Sequence, residues 1–93
     1  MTTSATNRAR RAEARTWAGY LSARISRQTG TLVVVLRSAE AGIESDPDLP
    51  YTTLCDDHST LVCHRTRSAA EGFAAEPAVW CEPCRHQLEA PTS

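Results

Sequence analysis

The chain has 93 residues, a length that allows one small domain and excludes a large enzyme with a deep substrate cleft. Hydrophobic residues make up 41% of the sequence, but many are alanines, and only 20 are large enough to fill a core. The net charge of −1 excludes a general basic field of the kind that binds nucleic acid. Chains this small usually need disulfides or a bound metal ion to be stable, and the four cysteines and three histidines are the candidate residues.

The sequence also predicts a compartment. The N-terminal residues lack the apolar core of a signal peptide, and the longest apolar run, residues 32–36, is far shorter than the ~20 residues of a membrane span. We therefore expect a cytoplasmic protein that has no membrane partner. In a reducing cytosol, cysteine and histidine at short spacing favour a metal site over disulfides.

The first predicted element is an amphipathic helix over residues 6–28, ended by Gly30 and preceded by a disordered tail over residues 1–5. The helix is predicted from an apolar stripe with helical spacing. The stripe consists of Ala14, Trp17, Ala18, Leu21 and Ile25, with Tyr20 at its edge.

Arginines are concentrated in this N-terminal part of the chain. Residues 1–28 hold six arginines against one glutamate, a local charge of +5, whereas residues 29–93 carry −6. Arg8, Arg11 and Arg15 lie at spacings of three and four, on one side of the predicted helix. They are therefore candidate phosphate-binding residues, although a solvated helix face explains the same pattern.

The second predicted element is a β-strand over residues 31–37, whose continuous apolar run indicates burial on both faces. It completes an N-terminal part spanning residues 6–37. If one side stays open, this strand or the preceding helix becomes a docking or dimerisation element. Residues 38–50 are acidic, contain proline and glycine, and are interpreted as a flexible loop and boundary.

Residues 51–88 are predicted to form a metal-binding module, followed by a tail over residues 89–93. Thr66 or Ser68 can cap its first helix, and Pro77 can end it. The predicted elements are short strands over residues 51–54 and 59–64, a helix over 66–76 and a helical segment over 84–88.

The strongest chemical signal is a pair of short ligand motifs, Cys55-x2-His58 and Cys81-x2-Cys84. Two intervening residues let a tight turn direct both side chains at one point, and two such pairs complete a tetrahedral Zn²⁺ site. We therefore predict one structural zinc ion bound by all four residues. With the first pair at the tip of a hairpin and the second at the start of a helix, the expected fold is a small, zinc-stabilised α+β domain. Its metal module is treble-clef-like or, alternatively, zinc-ribbon-like.

Other residues compete with these four as ligands. Cys63 or His64 could replace His58, and His86 could replace Cys84, although a core or surface role is the more ordinary interpretation of each. Trp80 is expected to pack over the site. Two disulfides, an iron–sulfur cluster and a redox Cys-Glu-Pro-Cys motif are weaker alternatives. A filled coordination sphere argues against a catalytic metal, so we predict no catalytic residues and no enzyme activity.

One resemblance supports the metal assignment. The segment from Tyr51 through Cys55 and His58 to Trp80, Cys81 and Cys84 resembles small zinc-finger-like proteins of actinobacteria and their phages. It covers about residues 51–86. The resemblance implies metal binding by the same cysteine and histidine positions, and it implies no activity.

Three functions from different classes follow. The first is a non-catalytic zinc-binding interaction module, a small regulator or adaptor that binds a protein partner or forms a homodimer. The second is a nucleic-acid-binding regulator that uses Arg8, Arg11 and Arg15. The third is a thiol redox protein that uses Cys81 and Cys84. A small-molecule substrate is not expected.

Overall fold

The computed structural model describes residues 3–89, with side chains described for residues 7–88. Its strands are β1 (Tyr20–Ile25), β2 (Leu32–Arg37), β3 (Tyr51–Cys55) and β4 (Thr60–His64). Its helices are α1 (Thr3–Ala14), α2 (Arg67–Ala75), α3 (Pro77–Trp80) and α4 (Glu82–Glu89), and a short 3-10 turn covers Asp56–His58. The strands form one antiparallel sheet in the order β1-β2-β3-β4, so the predicted α+β class is confirmed. Within the described range, no helix is long and apolar enough to cross a membrane.

Strand β2 is buried on both faces, as its continuous apolar run predicts. Its five apolar residues are all at most 4% exposed. Leu32, Val34 and Leu36 contribute to one core, and Val33 and Val35 contribute to the other. Because β2 is paired with β1 on one side and β3 on the other, it offers no free edge. The hypothesis that this strand is a docking or dimerisation element is therefore wrong.

The two cores are closed by different parts of the chain. Ala14, at the end of α1, and the half-buried Trp17 cover one face of the sheet. Ala70 and Ala74 of α2, together with Trp80, cover the other face. Helix α2 begins where it was predicted, because the Thr66 hydroxyl caps it by accepting from the N–H of Ala69 at 3.1 Å. Small alanines let the helix approach the sheet closely, which suits a chain with few large apolar residues.

The helix predicted over residues 6–28 is wrong in extent. Helix α1 begins at Thr3, within the predicted tail, and ends at Ala14, while Tyr20–Ile25 form strand β1. The spacing of Trp17, Leu21 and Ile25 fits a helix, but Ala23 and Ile25 also alternate as in a strand. A bulge in β1 places Leu21 against the other core. Pairing with β1 satisfies the backbone N–H and C=O groups along one edge of β2. The free energy of these hydrogen bonds outweighs the helical preference of the local sequence. Residues 1–2 and 90–93, which belong to the predicted tails, lie outside the described residues.

Two glycines mark where the chain turns around β1. Gly30, predicted to end a helix, lies in the β1–β2 turn with a φ of 70°. Gly19 ends the turn after α1 with a φ of 79°, and its carbonyl accepts from the N–H of Arg37 at 2.7 Å. A Cβ at Gly19 would lie 2.7 Å from the carbonyl oxygen of Arg37. The position therefore requires glycine for its backbone conformation and for the close approach of β2.

We expect Gly19→Ala to destabilise the fold more than Gly42→Ala. Both positions have a left-handed φ, 79° and 75°, so both variants incur a conformational cost of about 1–2 kcal/mol. Only Gly19 adds a backbone clash, since nothing lies within 4 Å of a Cβ at Gly42. Urea denaturation of the two variants measures the difference in unfolding free energy. Equal losses in both variants would contradict the proposed clash.

The acidic segment over residues 38–50 contains turns and, as predicted, neither helix nor strand. It is nevertheless attached at both ends: the N–H of Ser38 donates to the carbonyl of Pro50 at 2.8 Å, and its hydroxyl contacts that of Thr52 at 2.6 Å. Ile43 packs against the α1 side of the core. The sheet is continuous across this loop, because β2 and β3 are direct neighbours.

Candidate metal centre

The two ligand motifs meet at one end of the sheet. Strand β3 ends at Cys55, and the 3-10 turn Asp56–His58 brings His58 back over it, followed by Ser59 in a left-handed conformation. Cys81 lies between α3 and α4, and Cys84 lies in the first turn of α4. The first pair is therefore held by the β3–β4 hairpin and the second by a helix N-terminus, as the sequence predicts.

The four side chains converge with the spacing of a tetrahedral site. Their potential ligand atoms all lie within 4.8 Å of one another. The sulfurs of Cys55 and Cys84 are 3.7 Å apart, and Nδ1 of His58 lies 3.3 Å, 3.5 Å and 3.4 Å from the sulfurs of Cys55, Cys81 and Cys84. Bond lengths of ~2.3 Å to sulfur and ~2.0–2.1 Å to nitrogen at tetrahedral angles require separations of about 3.8 Å and about 3.6 Å. The donors therefore fit one small divalent ion bound at their centre.

The thiols and the imidazole of the site differ in solvent exposure. Cys55, Cys81 and Cys84 have no exposed surface, whereas His58 is half-buried. Trp80 packs against the three cysteines, which confirms its predicted place, and its Nε1–H donates to the carbonyl of Phe73 at 2.8 Å. The indole thus joins the metal centre to α2.

The three thiols differ in pKa because each has different neighbours. Burial, reinforced by the Cys84 thiol, raises the pKa of Cys55 to about 12. Burial also opposes ionisation of Cys81, but hydrogen bonds, first among them one from the backbone N–H of Cys84, outweigh it and lower the pKa of Cys81. Burial raises the pKa of Cys84, despite the Thr31 hydroxyl at 3.6 Å. Cys81 is therefore the thiol that ionises most readily of the three, and metal binding displaces the protons that the thiols hold.

The three residues that compete as metal ligands, Cys63, His64 and His86, lie away from the four-residue group. Cys63 is paired with Thr52, so it faces the side of the sheet opposite to Cys55. His64 faces the same side as Cys55 but is paired with Tyr51, four residues or roughly 13 Å along the sheet. His86 is exposed on α4, with Nε2 3.6 Å from the Glu82 carboxylate. Within the described part of the chain, the metal-binding group contains none of these three residues.

His64 has a structural place of its own. The Thr53 hydroxyl donates to the carbonyl of Ala70 at 2.9 Å, so it accepts from Nε2–H of His64 at 3.0 Å. The imidazole also meets the ring of Phe73 edge-on, with centroids 4.6 Å apart. These contacts connect β4, β3 and α2.

We expect the stability of the fold to fall at mildly acidic pH because of His64. Burial lowers the pKa of this imidazole below the ordinary 6.5. Below pH 6.5 the unfolded chain therefore binds a proton at this position more readily than the folded chain does. The unfolding free energy should decrease as the pH falls from 6.5 towards the lower pKa of the folded state. Urea titrations at several pH values should show a smaller decrease for His64→Gln, and an identical decrease in both proteins would contradict the assignment.

A carboxylate anchors the turn that carries His58. One oxygen of Asp57 accepts from the backbone N–H of Leu32 at 3.1 Å and from the guanidinium of Arg10. Although burial opposes its ionisation, these two donors lower the pKa of Asp57. The ion pair connects α1, the start of β2 and the ligand-bearing turn. A single sequence gives no signal for such a contact, because its partners are 47 residues apart.

The structure brings together only two of the three arginines predicted to bind phosphate. Arg8 and Arg11 line one cleft next to α1, joined by Arg24 and Arg27 from β1 and the following turn. Arg15 follows the end of α1 and is not part of the lining. Arg24 and Arg27 could not be recognised beforehand, because the sequence predicts them on the same helix as Arg8.

The fold and the site together define a small α+β protein with a Cys3His group at one end of its sheet. Neither a family model, nor a curated protein, nor a solved structure matches the chain.

Proposed function

We propose that this chain is a small, non-catalytic binding module whose fold is completed by one structural zinc ion. The observation that carries the proposal is the convergence of Cys55, His58, Cys81 and Cys84 at tetrahedral spacing. Three thiolates and one imidazole are donors that Zn²⁺ prefers. When bound, the ion would cross-link the β3–β4 hairpin to α4.

The donor set favours a structural over a catalytic metal. A catalytic zinc ion keeps one coordination position open for water, whereas four protein donors fill this site. The imidazole of His58 borders an open depression that Glu82 and His86 also line, but the cysteines are fully buried. We therefore propose that the protein acts through its surfaces and not through metal chemistry.

Burial also disfavours a thiol redox function for Cys81 and Cys84. Thiol–disulfide exchange requires a thiolate that a partner sulfur can reach. Both side chains have no exposed surface, and Trp80 packs against them. The lowered pKa of Cys81 is equally useful for binding a metal ion.

The arrangement of the ligands supports the treble-clef-like interpretation over the zinc-ribbon-like one. A treble clef takes one ligand pair from a hairpin turn and the other from a helix N-terminus. Here the first pair flanks the turn before β4, and the second reaches into α4. Helix α2 is inserted between the pairs. The resemblance of residues 51–86 to small zinc-finger-like proteins of actinobacteria and their phages supports the same four ligands.

Native mass spectrometry tests the proposal. We expect one zinc ion per chain, lost on treatment with a strong chelator, and the same spectrum reports whether the chain forms a homodimer. Replacing zinc by cobalt then tests the closed coordination sphere: the visible spectrum should indicate tetrahedral cobalt and should not change when cyanide is added. Metal-free protein that keeps its full fold would overturn the structural role. A spectrum that responds to cyanide would overturn the non-catalytic one.

A further inference from the structure

Four arginines from two separate elements line one cleft, which we call the arginine cleft. Arg8 and Arg11 are one helical turn apart on α1, while Arg24 lies on β1 and Arg27 in the turn after it. The cleft has a volume of about 570 Å³. Its lining consists of Asn7, Arg8, Arg11, Arg24, Ile25 and Arg27.

No residue whose side chain the structure describes neutralises these four charges. Among the residues that the structure describes, Arg10, Arg37 and Arg67 form ion pairs with Asp57, Glu40 and Glu71, whereas none of the four cleft arginines forms one. A concave surface lined by one sign of charge concentrates the electrostatic field and attracts counterions. The arginine cleft can therefore bind an anion from outside the molecule.

The shape of the surface favours an extended ligand over a single small anion. A second cleft of about 400 Å³ continues along the edge strand β1 as far as Ala75, and it shares Arg24 and Arg27 with the first. The surface thus continues from the arginines along the sheet edge, where the second cleft adds the polar side chains of Ser22, Ser26 and Gln28 and no further arginine. A polymer with regularly repeated negative charges can contact both clefts at once.

We infer that the arginine cleft binds the phosphate backbone of a nucleic acid. Guanidinium groups bind phosphate oxygens in a bidentate manner, and the Asn7 amide adds a neutral donor. Such contacts position a backbone without reading its bases. This inference names the class of partner for the proposed binding module and rests on that proposal. It replaces Arg15 of the sequence-based set by Arg24 and Arg27.

Fluorescence anisotropy with a labelled DNA duplex and a labelled single-stranded RNA measures the binding. If all four arginines contact phosphates, the logarithm of the duplex association constant should fall with the logarithm of salt with a slope of about −3.6. Affinity should then decrease on the order of 100-fold between about 50 mM and about 200 mM salt. Polyglutamate, an anionic polymer without phosphate, serves as the competitor that reveals attraction to charge alone.

Two double variants with equal net charge locate the contacts. Arg24→Ala/Arg27→Ala should reduce the salt slope by about two and weaken binding at least tenfold at low salt. The matched control, Arg15→Ala/Arg65→Ala, removes two exposed arginines outside the cleft and should leave the slope unchanged. Native mass spectrometry of each variant should still show one zinc ion, so that a failure of this inference is distinguishable from a failure of the proposed function.

Three results would overturn the inference. The first is no binding to either nucleic acid at low salt by zinc-loaded protein. The second is an equal loss of affinity in both double variants, which would assign the binding to net charge. The third is competition by polyglutamate as effective as competition by unlabelled duplex.

Discussion

Cys81→Ser is expected to abolish stoichiometric zinc binding and to lower the unfolding free energy by more than about 3 kcal/mol. Structural zinc sites contribute on the order of 10–16 kcal/mol of apparent binding free energy, most of which is folding free energy in a small domain. Cys81 is fully buried and joins the turn after α3 to the ligand group, so a serine there leaves the other three donors without a closed site. Zinc content and thermal unfolding measure the effect, and 3 kcal/mol corresponds to roughly 12–24 °C in midpoint for a domain of this size.

Cys63→Ser is the matched control for this prediction. Cys63 is half-buried on the opposite face of the sheet, with its sulfur 3.6 Å from the Thr52 hydroxyl. The same chemical change should therefore cost less than about 1 kcal/mol and leave the zinc stoichiometry unchanged. A second pair of variants tests His58: His58→Ala should lose zinc, whereas His58→Cys should retain it by completing a four-cysteine site. Equal effects of Cys63→Ser and Cys81→Ser would refute the ligand assignment.

Removal of the metal from the intact protein should loosen the chain unevenly. The ligand-bearing turn Asp56–His58 and helices α3 and α4 should lose protection against amide hydrogen exchange, because the cysteine cluster joins them to one another. Strand β2 should keep the strongest protection, since its residues are buried in two apolar cores. Each fully buried Val or Leu contributes roughly 1.5–3 kcal/mol there without any metal.

The exchange experiment has an internal control. Returning Zn²⁺ after chelation should restore protection in α3 and α4, whereas Mg²⁺, which prefers oxygen ligands, should not. Equal protection in α4 with and without zinc would show that the ion does not stabilise this segment. Uniform loss of protection, including β2, would show that the two apolar cores cannot hold the sheet together without the metal ion.

The elements predicted correctly are those whose signals are local. The apolar run of β2, the turn between Cys55 and His58 and the Thr66 cap each depend on neighbouring residues, and the structure places all of them as predicted. The alternation of side chains along β4 follows from the sequence, but only the pairing register of the structure shows that Cys63 faces away from Cys55.

The elements predicted incorrectly depend on partners distant in sequence. Residues 20–25 fit a helical stripe, but they form a strand because their backbone pairs with the edge of β2 that β3 leaves free. The same error hid the arginine cleft, since Arg24 approaches Arg8 only after the chain turns at Gly19. The ion pair between Arg10 and Asp57 was equally hidden, because it requires α1 to lie beside the ligand-bearing turn.

That ion pair has a consequence for how the molecule can respond to its metal content. Asp57 precedes His58 directly, and the helix bound by its carboxylate also carries Arg8 and Arg11. A metal ion that fixes this turn would therefore also favour the observed position of α1. By thermodynamic reciprocity, a polyanion that stabilises α1 would tighten zinc binding by the same factor by which zinc tightens the polyanion. The arginine cleft and the metal centre, which lie at the same end of the sheet, would then be energetically coupled through the Asp57 carboxylate.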